Sequence, residues 1–280
     1  MLSILYGLIS AIGWGAGDFS GGLAARKTGA HRAVFYAEII GILILLILAA
    51  IVGEPIPGLR VWLLAMLAGV LGTAGLILLY HSMTLGLMSI ATPVSALLAA
   101  VLPVLVGMVR DGFPGLVTFI GFGCALYSIW MISQGRDGVK DLLAHITDLK
   151  LPLLAGLGFG LFFIIMHEAT RDGATLWPMV GSRSGGLALV GLYMLFTRAS
   201  LKVDSAAWPY ILVNGVFDIS GNAFFILAAQ AGRLDVASVL GSLYPGATVI
   251  LALAFLKERL SRAQWIGIAA ALIAIVLMTI

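Results

Sequence analysis

Ten apolar runs, each about as long as a bilayer-crossing helix, follow one another along the chain, with charged, proline or glycine clusters between them. A spanning helix needs about 20 apolar residues, and irregular backbone cannot face hydrocarbon because its N–H and C=O groups would find no partner there. The runs predict helices near 2–25, 32–53, 61–84, 88–109, 114–134, 151–169, 174–197, 207–231, 235–256 and 262–280. Composition removes the alternative of a soluble fold. Of 280 residues 61% are hydrophobic and 10% charged, whereas soluble domains carry about a quarter charged residues. The expected class is therefore an all-α integral membrane protein. Its 35 glycines suit helices that approach closely in lipid. Cys124 is the single cysteine, so neither an internal disulfide nor a thiolate metal cluster is available. The net charge of +3 is spread over short loops and gives no nucleic-acid footprint. The first run has no basic residue before it and contains Asp18, so it reads as a retained helix and not as a signal peptide.

One long polar connection, GRDGVKDLLAHITDLK at 135–150, separates five runs from five. The two halves resemble each other. GWG at Gly13–Gly15 recurs as GFG at Gly158–Gly160, KTGA ending at Ala30 recurs as RDGA ending at Ala174, and LGLMSIAT from Leu85 aligns with AGRLDVAS from Ala231. Because each half holds an odd number of helices, the second copy enters the membrane upside down. The expected organisation is ten transmembrane helices as two inverted five-helix repeats, 1–134 and 151–280, joined by a cytoplasmic linker at 135–150. Inverted repeats with a site near the midplane are a transporter architecture.

Lys and Arg in short loops set orientation. Eleven of them lie on the side of the odd-to-even connections, and four, Arg60, Arg110, Arg171 and Arg233, lie on the other side. The count puts both termini outside the cytoplasm of a cell (inner) membrane.

Four ionisable groups fall inside the predicted helices on the lysine-rich half. Asp18 lies roughly 12 Å below that surface, Asp218 roughly 15 Å and Glu38 about 10 Å, with His81 nearer still. Charge in hydrocarbon costs about 2.5–3.5 kcal/mol on insertion scales, so such groups face water or a partner. Asn214, Asp218 and Asn222 recur every four residues and form one polar stripe on their helix. Trp14 lies one turn before Asp18, on the same face, and Phe217, Phe224 and Phe225 flank the Asp218 stripe. Carboxylates beside aromatic faces make a cage for an organic cation or the amino group of a zwitterion. Arg183, amid Gly181, Gly185 and Gly186, is the partner available to Asp218 or to Glu38, and Glu38 and Arg183 occupy nearly matching positions in the two halves. The stripe is expected to be the wet wall of a translocation pathway, with Asp218 binding a positively charged substrate group or a proton; a second role, an anchor for Arg183, stays open.

The layout, GWGAGDF in the first run and ASVLGSLYPGATVILALAFLKERLSRAQWIG from Ala237 resemble the drug/metabolite transporter superfamily, EamA type, over the whole chain. The first half departs from the pattern, with Pro103 one turn later than Pro245 and RDGFPG in place of the acid–Arg loop. The resemblance implies a basket of helices around one cavity, lined chiefly by helices 1, 3, 4, 6, 8 and 9, with 5 and 10 peripheral. It also implies that Tyr80, Phe159, Phe163 and Tyr244 line the pore. The candidate substrate-binding set is then Trp14, Asp18, Tyr80, His81, Phe159, Asn214, Asp218, Asn222 and Tyr244. Asp18 and Asp218 are the candidates for proton coupling, Glu38 and Arg183 for a structural ion pair, and Pro245 and Gly246 for a gating bend. The resemblance implies a secondary transporter of a small polar metabolite such as an amino acid or amine, working by alternating access. Proton coupling and facilitated diffusion are both open, and the expected partners are the solute, the bilayer and protons. No Walker motif is present, so the chain is not expected to hydrolyse ATP itself. An intramembrane enzyme is the competing class, but His31, His81, His145 and His167 have no metal-ligand spacing, and Asp18 and Asp218, imaginable as an aspartyl dyad, lie in no supporting motif. A channel-like facilitator would need a repeated filter ring, and none is visible. No cofactor or metal is expected.

Overall fold

The apolar runs fold as helices because each must satisfy its own backbone in lipid. A computed structural model describes residues 1–85, 88–133, 149–256 and 261–279. Its helices are α1 (Leu2–Thr28), α2 (Ala30–Val52), α3 (Leu59–Thr84), α4 (Met88–Arg110), α5 (Leu116–Ser133), α6 (Lys150–Ala169), α7 (Leu176–Phe196), α8 (Trp208–Gln230), α9 (Leu234–Gly241), α10 (Tyr244–Leu256) and α11 (Arg262–Thr279). The ninth predicted span is thus two helices, and the other nine are one each. The segments Leu2–Thr28, Ala30–Val52, Leu59–Thr84, Lys150–Ala169, Leu176–Phe196 and Ser205–Gln230 are each long and apolar enough to cross a membrane, and Val94–Arg110, Leu116–Ile132 and Arg262–Met278 are shorter apolar helices. The expected linker at 135–150 lies, up to residue 148, outside the described residues.

Local chemistry sets the helix ends. Gly53 closes α2 at φ 68°, ψ 30°, a left-handed conformation that costs a residue with a Cβ about 1–2 kcal/mol. Proline in the first turn of α8 gives up an N–H that has no intrahelical acceptor anyway. The break in the ninth span has the same origin. Pro245 cannot donate to the carbonyl of Gly241 and its ring clashes with the preceding turn. α9 accordingly stops at Gly241, Ser242 and Leu243 form a turn, and α10 restarts at Tyr244. The bend expected at Pro245 and Gly246 is therefore a full interruption of the helix.

Packing follows the internal repeat. α1 lies along α8, α3 along α6, α3 along α7 and α2 along α8, and α4 packs on α6 as the ninth span packs on α1. Exchanging each helix for its counterpart five spans away returns the same pairs. The α2–α7 and α5–α11 pairs map onto themselves. That is the arrangement of two inverted five-helix repeats, with α5 and α11 packed chiefly on each other. Small residues permit the closest crossings. A Cβ at Gly69 of α3 would run into the Ser182 carbonyl of α7.

Candidate functional site

The centre of the bundle holds a cavity of about 80 Å³, walled by residues from α1, α2, α3, α4, α6, α7, α8 and α10. One water needs about 10–15 Å³ on this measure, so the space takes a few waters or the head of a small solute. Three carboxylates, Asp18, Glu38 and Asp218, and one guanidinium, Arg183, line it.

Arg183 joins two of the acids. Its Nη1 donates to Glu38 Oε2 at 3.1 Å and its Nη2 to Asp218 Oδ2. Glu38 is almost fully enclosed, and its other oxygen accepts from Thr73 Oγ1 at 2.8 Å. Asp218 keeps 16% of its side-chain surface exposed and also accepts from Asn222 Nδ2 at 3.3 Å. Both partners foreseen for Arg183 are therefore engaged at once. Burying charges costs several kcal/mol per ion unless further hydrogen bonds satisfy them, and the Thr73 and Asn222 contacts do this on the two sides of the guanidinium.

Asp18 is placed differently. Among the described residues its polar partner is a phenol and not a cation: Tyr80 Oη donates to Asp18 Oδ1 at 3.3 Å. Asn214 Nδ2 in turn donates to Tyr80 Oη at 3.0 Å and to the Gly17 carbonyl at 2.8 Å. Asn214 thus fixes the phenol, and the phenol faces the carboxylate. Gly21 makes this possible, since a Cβ there would collide with the Tyr80 hydroxyl.

An aromatic wall completes the cavity. Trp14 stacks on Phe163 with centroids 5.2 Å apart, and Phe163 stacks on Phe225 at 4.5 Å. Phe159, Phe162 and Tyr244 line the same space. The Tyr244 hydroxyl is tied to α4, 3.3 Å from Ser95 Oγ and 3.4 Å from the Thr92 carbonyl.

The structure brings together Trp14, Asp18, Phe159, Asp218, Asn222 and Tyr244 at the cavity, with Glu38 and Arg183. Tyr80 and Asn214 sit one layer behind the wall. His81 does not reach it: the side chain is exposed and borders a separate cleft of about 660 Å³ with Arg26, His31 and Tyr193. Tyr80 and His81 are neighbours on α3, so about 100° of helix rotation separates them and both cannot face inward. Phe217, next to Asp218, likewise points outward and is 39% exposed. Pro245 and Gly246 follow the interruption beside Tyr244. The lining also includes helices 2 and 7, through Glu38 and Arg183, beyond the six expected. Thr73, Phe162 and Ser182 went unread in the sequence. Thr73 carried a usable signal, because it stands 145 residues before Asp218 just as Glu38 stands 145 before Arg183. Among the described residues no group of three or more His, Cys, Asp or Glu side chains is placed to hold a metal ion.

An inverted-repeat bundle with a charged, aromatic-walled cavity at its centre defines a multi-pass membrane transporter. Residues 1–134 and 149–280 match the EamA-like transporter family, and the chain belongs to that family, within the drug/metabolite transporter superfamily. An uncharacterized protein of Methanocaldococcus jannaschii is 30% identical over 136 residues, which are 48% of this chain and 97% of that protein. This relative is about half as long, the size of a single repeat. A protein of known crystal structure superposes with a TM-score of 0.81 at 15% identity, covering 99% of this chain and 98% of that one, and so shares the fold.

Proposed function

We propose that the chain is a secondary transporter that moves a small polar metabolite carrying a positively charged group, an amine or amino acid, by alternating access, with Asp18 as the carboxylate that takes the cation or a proton. The observation that carries this reading is the inequality of the acids. Glu38 and Asp218 share Arg183, whereas Asp18 meets only a phenol among the described residues. A carboxylate so placed is the one that gains most from an incoming cation, and the aromatic side chains of Trp14 and Phe163 line the same cavity. Asp218 takes the second role left open above, that of an anchor for Arg183. The guanidinium at the cavity wall also suits a substrate carboxylate, which keeps the amino-acid class beside the amines. In this reading the protein sits in the cell (inner) membrane with both termini outside the cytoplasm, as the eleven-to-four charge count supports.

The test is flux of labelled amines and amino acids into proteoliposomes, with and without a pH gradient, for the wild type and Asp18→Asn. Saturable flux and counterflow mark a carrier. Asp18→Asn is expected to abolish cation flux or its dependence on the gradient, at least tenfold, in a protein that still folds. Wild-type flux with a wild-type pH profile in Asp18→Asn would sink the assignment.

A further inference from the structure

The connections that follow α2, α4, α6 and α8 share one face of the bundle with Arg60, Arg110, Arg171 and Arg233, here called the arginine face. Two acids on this face bind its arginines. Glu168, at the end of α6, accepts from Arg60 at 3.0 Å, Arg110 at 3.1 Å and Arg171 at 3.3 Å, so it gathers α3, α4 and the α6–α7 connection. Asp235, in the first turn of α9, is fully buried and pairs with Arg233 at 2.8 Å. The same guanidinium donates to the carbonyls of Asp111 at 3.2 Å and Gly112 at 2.8 Å, which binds α9 to the α4–α5 connection. Two further links lie on the same face. Glu54 accepts from the N–H groups of Thr175 at 2.7 Å and Trp177 at 2.8 Å, and Gln230 donates to the Thr170 carbonyl at 2.9 Å.

The internal repeat assigns each of these residues a counterpart on the opposite, lysine-rich face. Pairing KTGA with RDGA sets Glu168 against Ala24, and pairing LGLMSIAT with AGRLDVAS sets Arg233 against Leu87 and Asp235 against Ser89. Neither acid has an acidic counterpart. Inverted repeats alternate access by moving one repeat against the other, so each face closes in turn. The links that Glu168 and Asp235 make on the arginine face are therefore not repeated at the equivalent positions of the lysine-rich face.

We infer that Glu168 and Asp235 form a latch that holds the arginine face shut and biases the transporter toward the state sealed on that side. The inference rests on the alternating-access reading above. The two acids differ in weight. The Glu168 pairs are exposed, and exposed pairs contribute little each. Asp235 is buried, and neutralising it would leave the Arg233 charge with only the Asp111 and Gly112 carbonyls, which costs more.

The experiment places a reporter cysteine at Leu76, on the cavity wall, in a Cys124→Ser background reconstituted in vesicles. A C-terminal tag exposed to protease identifies the arginine face, and a membrane-impermeant thiol reagent is applied from each side. The expected result is slow labelling from the arginine face in the parent. Labelling should rise about two- to fivefold in Glu168→Gln and tenfold or more in Asp235→Asn, with the lysine-rich side falling in step. Thermal unfolding confirms folding, and if Asp235→Asn does not fold, Glu168→Gln decides. Equal labelling of the parent from both sides, or unchanged labelling in the folded variants, overturns the latch. Counterflow of labelled solute in the same vesicles tests the carrier reading separately. Its absence with altered sidedness rejects the carrier and leaves the latch standing.

Discussion

Replacing Arg183 by Met removes one cation from between two carboxylates and leaves the shape nearly intact. The side chains of Arg183, Glu38 and Asp218 are only 10%, 3% and 16% exposed, so solvent screens the group poorly. Removing one partner of a buried ion pair costs about 3–5 kcal/mol, because the charge left behind is uncompensated. Here two carboxylates lose their partner, and Arg183→Met belongs at the upper end of that range or beyond it. Asp218→Asn is milder. Arg183 keeps Glu38 at 3.1 Å, the amide can still hydrogen-bond, and the loss is that of one charged hydrogen bond, about 1.5–3 kcal/mol. The triple variant Arg183→Met, Glu38→Gln, Asp218→Asn removes every stranded charge and is expected to recover most of the loss. Equilibrium unfolding in mixed detergent micelles, followed by tryptophan fluorescence, ranks the three. The reasoning is refuted if Asp218→Asn costs as much as Arg183→Met, or if the triple variant is no more stable than Arg183→Met.

Pro245→Ala restores the N–H that can reach the Gly241 carbonyl and allows α9 and α10 to join. Turnover should fall several-fold while solute affinity, read by thermal shift, stays within about twofold; unchanged turnover leaves only a static break. Gly69→Val places a side chain against the Ser182 carbonyl and must part α3 from α7 beside Arg183. Overpacking of this kind costs about 1–3 kcal/mol, which the same unfolding titration measures, and wild-type stability would show that the crossing is looser than the contact implies.

The helices and their inverted order were legible because lipid imposes a long apolar run on every span, and a duplicated chain leaves matching residues at a fixed separation. The ion pair between Glu38 and Arg183 was legible for the same reason. The direction of individual side chains was not. Composition shows that Tyr80 and His81 are both polar and interior to a predicted helix, but only the rotation of α3 decides that one meets Asp18 while the other borders an exposed cleft. Nor does a stripe distinguish its own members. Asn214 serves Tyr80, Asp218 serves Arg183 and Asn222 serves Asp218, because α3 and α7 bring partners to two turns of α8 and the third turn reaches back along its own helix.

The repeat also explains why the three acids are unequal. Glu38 and Arg183 stand 145 residues apart on α2 and α7, the pair that maps onto itself, so they meet at the pseudo-twofold axis. Thr73 and Asp218 are likewise 145 apart, and each binds the nearer member of that pair, Thr73 on Glu38 and Asp218 on Arg183. Thr73–Glu38–Arg183–Asp218 is therefore one chain running symmetrically across the axis. Its outer links lie within a single half, and its central link joins the two helices that the repeat maps onto each other. Under the proposed alternating access, such a chain has the same contacts to offer in both states. Asp18 is outside it. The residue 145 positions further on is Phe163, whose ring stacks on Trp14, so inversion of the bundle sets an aromatic face where a carboxylate stood. Under the proposed alternating access, a group whose surroundings change between the two states is the one able to bind on one side of the membrane and release on the other, which supports the proposal of Asp18 as the site for the transported cation and of Asp218 as an anchor for Arg183.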